Sequence, residues 1–266
     1  MAKQPTAAEA LQTVEASPAA VAVHDRSAWL DLMARGGVVN DPVGSRPHQG
    51  REAIGRFYDT FIAPNTIVFD VDHDVVCGST VFRDLTIVTT MSTGVTLNVP
   101  THLRYDLVEE EGALKVALLA AHWELPTMIV QLARAGVPGL AAALKLTPQM
   151  LSNQGVGGVV GFMKGLRRVG AAGKRTAAGF AAAGRRGDTA AVRAVLTSDA
   201  RLECPAGTAV SVDEFVEQAR GLDWTKFVAA GRSVTATVHT GDRAGVALLE
   251  FVGHRIERAR LYLPQA

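Results

Sequence analysis

The chain has 266 residues, 48% of them hydrophobic and 20% charged, with a formal net charge of +1. That composition suits a globular protein with a sizeable core and excludes a disordered, collagenous or strongly nucleic-acid-binding chain. "MAKQPTAAEALQ" lacks the apolar centre of a secretory signal, and no run of about 18 apolar residues offers a membrane span, so a cytoplasmic location is expected.

In chain order, "TAAEALQTVEAS" and "DRSAWLDLMAR" read as helices, the second with Trp29, Leu30 and Met33 at helical spacing. A short strand, "GGVVN", leads into the turn "DPVGS", where Asp41 before Pro42 is a natural turn initiator. "GREAIGRFYDTFIAP" reads as a helix with Ile54, Phe57, Tyr58 and Phe61 on one face, stopped by Pro64. Four strands follow, "TIVFDVDHDVV", "TVFRDLTIVTTM", "VTLNVPTHLRYDLV" and "ALKVALLAAHWEL", separated by the turns "CGS", "STG" and "EEEG". Helices followed by hairpin-connected strands make an α+β domain with a curved antiparallel sheet.

The middle differs. From Pro126 to Gly187 there is no Asp or Glu but nine Lys and Arg, which leaves 18 basic against 26 acidic residues in the flanks. "MIVQLARAGVPGLAAALKL" and "GVGGVVGFMKGLRRVG" read as short amphipathic helices. Gly157, Gly161 and Gly165 stand four apart, a spacing that lets another backbone approach closely. This stretch is read as a helical linker with Lys164, Arg167, Arg168, Lys174 and Arg175 turned to water. The alternative is a membrane-surface element over 126–175 that would make the protein peripheral to a membrane.

The last part repeats the plan of the first, helix, helix, strand, turn, helix and then strands, with "RLECPAGT" set against "VVNDPVGS". Expected domains are therefore 1–124, a linker over 125–173, and 174–266. The cysteines, Cys77 and Cys204, lack metal-ligand spacing and read as reduced thiols. No His/Cys/Asp cluster and no phosphate loop is present, so neither metal nor cofactor is implied.

The stretch "LMARGGVVNDPVGSRPHQGREAIGRFY", together with "HLRYDLVEEEGALKV" and "AHW", resembles the ketosteroid isomerase branch of the SnoaL-like, NTF2-like superfamily. The resemblance covers about residues 8–124 closely and 175–266 only at superfamily level. It implies an NTF2-like cone, a curved antiparallel sheet packed on helices, in two tandem copies. It also implies that Asp41 shuttles a proton between two carbons of a steroid in an apolar pocket, facing an oxyanion hole.

Here the sequence departs from the family. The family's oxyanion Tyr falls on Ser17, and its protonated Asp falls on Thr101, with His102 beside it. Tyr58 matches a supporting Tyr and, behind the small Ser17, is placed to serve the substrate oxygen. The catalytic candidates are thus Asp41, Tyr58 and Thr101. Ser17, Trp29, Phe57, His102, Leu103, Tyr105 and Trp123 are the candidates for the pocket wall. In the second copy Cys204 replaces Asp41 and Phe180 replaces the oxyanion Tyr, so that copy reads as degenerate. The resemblance further implies sheet-to-sheet pairing, within the chain or in a homodimer, and a small hydrophobic ligand, steroid or lipid, with no nucleic acid. Two functions lead, a Δ5-3-ketosteroid isomerase-like enzyme or a non-catalytic steroid or lipid carrier on the same fold; a hydrolase or cyclase is a third, for which Asn40 and His102 are the polar groups near the base.

Overall fold

The computed structural model describes residues 4–163, 165 and 169–264, with 143, 145–147, 149–151, 154–156, 158, 159 and 163 described by backbone alone. Lys164, Arg167 and Arg168, read as solvent-facing, lie outside the described residues. Of their neighbours, Arg175 is exposed and Lys174 half-buried. The chain divides into two units, Met1–Asp74 with Gly78–Arg167, and Val75–Cys77 with Arg168–Ala266.

The first unit begins with α1 (Ala7–Ala22), started by a capping box in which Thr6 and Glu9 satisfy each other's backbone N–H. Its buried face is Ala10, Val14, Ser17 and Val21, one helical stripe. α2 (Arg26–Asp31) is capped by Asp25, whose carboxylate accepts from Ala28 N–H at 2.9 Å. The helical spacing through Met33 is not followed: Met33 opens β1 (Met33–Asn40). The sheet wins because Val116 N–H takes the Leu32 carbonyl at 2.8 Å and Met33 pairs with Val116.

β2 (His48–Gln49) and α3 (Gly50–Phe57) follow; then Tyr58–Ile62 widens into a π-helical turn, closed by Ala63 N–H on the Tyr58 carbonyl at 2.9 Å. β3 (Thr66–Cys77), β4 (Thr80–Thr90), β5 (Thr96–Glu110) and β6 (Ala113–His122) complete the sheet, ordered β2-β1-β6-β5-β4-β3, with β1 parallel to β6. Register shifts at Met33/Val38 and Asp106/Leu107 are bulges of the kind that bend a sheet.

Two further helices belong to this unit, α4 (Leu125–Arg134) and α5 (Gly136–Met163). The sequence suggests short helices in a linker; the structure has one 28-residue helix, which follows α4 after Ala135 and opens on Gly136 at φ +61°. α4 is tied to the edge of β5 through the Gln131 amide, which bonds both the N–H and the carbonyl of Asn98 at 2.9 and 2.7 Å. The glycine stripe does admit a close neighbour, the turn after Asp41. Arg46 N–H donates to the Gly161 carbonyl at 3.1 Å, and a Cβ on Gly161 would stand 2.8 Å from Arg46 Cβ.

The second unit carries α6 (Gly170–Arg186), α7 (Thr189–Val195), β7 (Leu196–Glu203), β8 (Ala209–Val210), α8 (Val212–Ala219), β9 (Asp223–Ala230), β10 (Ser233–Thr240), β11 (Arg243–Val252) and β12 (Arg255–Tyr262). Its sheet order, β8-β7-β12-β11-β10-β9 with β7 parallel to β12, reproduces the first. Both units place a cis X-Pro bond after the equivalent strand, Asp41–Pro42 and Cys204–Pro205. The chain is therefore two tandem α+β cones of NTF2-like topology.

Candidate functional site

The concave face of the first sheet and the helices above it enclose a cavity of about 150 Å³. Because strand side chains alternate, Leu97, Val99, Leu103 and Tyr105 of β5 face it together. α1 contributes Ser17 and Val21, α2 contributes Trp29, and α3 with its π turn contributes Phe57, Phe61 and Ile62. Met128 of α4 and Phe162 of α5 complete the wall, so the stretch read as a linker helps to form the pocket. Phe162 stacks on Phe61 with ring centroids 5.5 Å apart.

Asp41 stands at this wall, held by the turn: Val43 N–H bonds the Ala121 carbonyl at 2.9 Å, and Ser45 N–H closes on the Pro42 carbonyl at 2.9 Å. Trp123 Nε1–H donates to Asp41 Oδ1 at 2.6 Å. Burial among apolar side chains pushes the Asp41 pKa up to about 6, against the lowering effect of that one bond. Asp41 is thus a structured cavity carboxylate as well as a turn residue.

A second polar group shares the cavity. Trp29 Nε1–H donates to Ser17 Oγ at 3.0 Å, and Ser17 shares the cavity wall with Tyr105. Burial raises the Tyr105 pKa, the Ser17 hydroxyl and the Arg83 charge oppose this, and the Asp41 charge raises it further. The phenol therefore stays protonated and senses the carboxylate.

Ser17, Trp29, Asp41, Phe57, Leu103, Tyr105 and Trp123 thus meet on one cavity, as the sequence reading groups them. Tyr58, Thr101 and His102 are not on its wall. Tyr58 is buried against Trp29, centroids 5.4 Å apart, with its hydroxyl unpartnered; the π turn takes it off the face that α-helical spacing assigns it. Thr101 is fully buried and its hydroxyl turns back to donate to the Val99 carbonyl at 2.8 Å. His102 points to the opposite face of β5, its Nε2 at 3.5 Å from Asp84 Oδ1 and its carbonyl at 3.3 Å from His122 Nδ1. Burial, with His102 next in effect, lowers the His122 pKa to about 3.

The sequence reading missed Met128 and Phe162 as wall residues. The available signal was a single aromatic inside the glycine-rich "GVVGFMKG". In the second unit burial raises the Cys204 thiol to about 11, which suits neither a nucleophile nor a base. Among the described residues no three of His, Cys, Asp and Glu come together as metal ligands.

Residues 14–114 match the family model of the SnoaL-like domain. No curated protein matches the chain. Among solved structures it is similar to Δ5-3-ketosteroid isomerase from Mycobacterium sp., at 26% identity and TM-score 0.42 over 45% of this chain and 96% of that one. It is also similar to RV0760c from Mycobacterium tuberculosis, at 28% identity and TM-score 0.42 over 47% and 97%. A computationally designed 17-OHP binder matches at 25% identity and TM-score 0.41 over 45% and 95%. The first unit carries a SnoaL-like domain of the NTF2-like superfamily.

Proposed function

We propose that this SnoaL-like domain is a proton-shuttling isomerase of the ketosteroid type, with Asp41 as the base. The observation that carries the reading is a carboxylate held by Trp123 and a phenol, Tyr105, on the wall of one apolar cavity.

With its acid form titrating at about 6, Asp41 is mostly carboxylate at neutral pH, yet a stronger base than an ordinary aspartate. Trp123 fixes Oδ1, which leaves Oδ2 to take a proton from the carbon between a ketone and a double bond. The released electron pair passes into a dienolate, whose oxygen accepts from the Tyr105 hydroxyl. Ser17, held by Trp29, is the hydroxyl beside Tyr105 on that wall, placed to support the donor. Asp41 then returns its proton two carbons away, the carbonyl re-forms, and the double bond has moved into conjugation. In this reading the oxyanion role passes from Tyr58 and Thr101 to Tyr105 with Ser17.

The test is the ultraviolet absorbance of the conjugated enone when the protein meets a Δ5-3-ketosteroid. Conversion is expected with the native protein and not with Asp41→Asn; conversion that Asp41→Asn leaves intact defeats the proposal.

One observation favours a carrier instead. On α5, Val137, Leu140 and Leu144 are 81%, 61% and 65% exposed at helical spacing, a face suited to a membrane surface from which a lipid is drawn. Among the described residues no helix is long and apolar enough to cross a membrane. Ligand binding without turnover, together with flotation on anionic liposomes that Leu140→Glu abolishes, would favour this second reading.

A further inference from the structure

The cavity has a neighbour. A cleft of about 460 Å³ is lined by Ser45, Arg46, Pro47, His48, Gln49, Ala53, Arg56 and Phe162. Phe162 is common to both walls, so the cleft and the apolar cavity adjoin at that side chain.

Its chemistry is the reverse of the cavity's. Arg46 has no carboxylate partner among the described residues, and its stem is laid along the glycine stripe: a Cβ on Gly161 would meet its Cβ and Cδ, and a Cβ on Gly157 would stand 3.7 Å from Nη1. Among the described residues Arg56 pairs only with Glu52, one turn back on α3, through an exposed contact in which Glu52 keeps 88% of its side chain in solvent. The Gln49 side chain caps none of the first N–H groups of α3, so the positive end of that helix lies open beside the cleft. Ser45 has a buried hydroxyl with no partner. Burial, then Arg56 and Arg46, press the His48 pKa down to about 4, as expected where positive charge is uncompensated.

The cavity volume gives this cleft a use. At about 150 Å³ it is smaller than the roughly 300–1,000 Å³ of sites that enclose a drug-sized molecule. A larger ligand extends beyond it, and at Phe162 the adjoining wall is that of the cleft with its guanidiniums.

We infer that the cleft binds the acidic head, carboxylate or phosphate, of an amphipathic ligand whose apolar body fills the cavity. The inference rests on the cavity being the ligand site proposed above, and it specifies that ligand as an anionic amphiphile. Paired guanidiniums recognise either oxyanion by charge-assisted hydrogen bonds.

The experiment compares decanol, decanoate and decyl phosphate by isothermal titration calorimetry against the native protein and the double variant Arg46→Ala, Arg56→Ala. Both arginines are exposed and off the cavity wall, so the variant is expected to fold and to keep its decanol affinity. The expected result is a preference of tenfold or more for the acids over decanol, weakened by salt and abolished in the double variant. Equal affinity for all three, a preference that survives the double variant, or no binding of any of them would overturn the inference. Asp41-dependent enone formation is read separately, so either proposal can fail alone. Phosphatidylglycerol vesicles bound by the native protein and released by the double variant would assign the head to a bilayer lipid. Discrimination among the decyl compounds without vesicle binding would assign it to a free amphiphile.

Discussion

Asp41→Asn separates stability from function. In the folded protein the carboxyl titrates at about 6, against 3.8 for the unperturbed group. Between those values the folded state holds the proton and the unfolded state has lost it. Stability therefore falls as pH rises through that window and levels off above it. At about 1.4 kcal/mol per unit, the burial of the charge costs up to about 3 kcal/mol at pH 8. Asp41 keeps partial access to the cavity, so this is an upper bound. Asn keeps an oxygen for Trp123 Nε1–H and carries no charge, but its amide N–H groups enter an apolar site at about 1–2 kcal/mol. Urea midpoints of the two proteins, measured pairwise from pH 4 to pH 8, should show Asp41→Asn gaining about 2–3 kcal/mol relative to the native protein across the window. A difference that stays flat with pH would mean that Asp41 is an ordinary solvated carboxylate, and the raised basicity on which the shuttle depends would be gone.

Tyr105→Phe should lower turnover by about a hundred- to a thousandfold with a small change in KM, since the lost donor acts on charge that develops during reaction; steady-state kinetics with the ketosteroid decide it. Tyr58→Phe should lie within a few-fold of native, because that hydroxyl has no place on the wall. Gly161→Val should destabilise the first unit by about 1–3 kcal/mol, since even the Cβ would stand 2.8 Å from Arg46 Cβ and must push α5 off the turn. Thermal unfolding measures this, and no loss would mean that α5 is not docked there.

The fold was legible because its signals are local: a Thr-x-x-Glu cap before α1, an Asp cap before α2, alternation along the strands and a Pro-x-Gly turn in each copy. The end of α2 was not, since the Leu32 carbonyl is taken by a strand more than eighty residues away. Within the site, Asp41, Trp123 and the apolar wall were legible through the family resemblance carried by "DPVGS", "HLRYDLV" and "AHW". The donor was not. Thr101 shares the parity of Leu103 and Tyr105, and nothing in the sequence tells that its hydroxyl bonds its own strand. Likewise Tyr58 and Phe61 differ only by a π turn that leaves no mark in the residue pattern.

The two copies show what makes a site on this topology. Each has an Asp N-cap at the second helix, Asp25 and Asp188, accepting from the N–H three residues on at 2.9 and 3.0 Å. Each turns after its first strand with a strand carbonyl bonded, Val43 N–H to Ala121 and Ala206 N–H to Leu261. Eight residues before the caps stand Ser17 and Phe180; sixteen after stand Asp41 and Cys204. Ser17 leaves room beneath Trp29 and Tyr105, whereas Phe180 fills the equivalent place, packed on Phe215 at 5.3 Å and edge-on to Trp224 at 6.3 Å. Hollowing the second cone should therefore bring a penalty and no function. Phe180→Ser removes a side chain that is 1% exposed and should destabilise that unit by about 3–5 kcal/mol, with no new ketosteroid turnover, because Cys204 lacks a carboxylate's chemistry. Urea unfolding measures the first part and the enone assay in an Asp41→Asn background the second. A loss below about 1 kcal/mol would show that the second cone already contains the space that the first one uses.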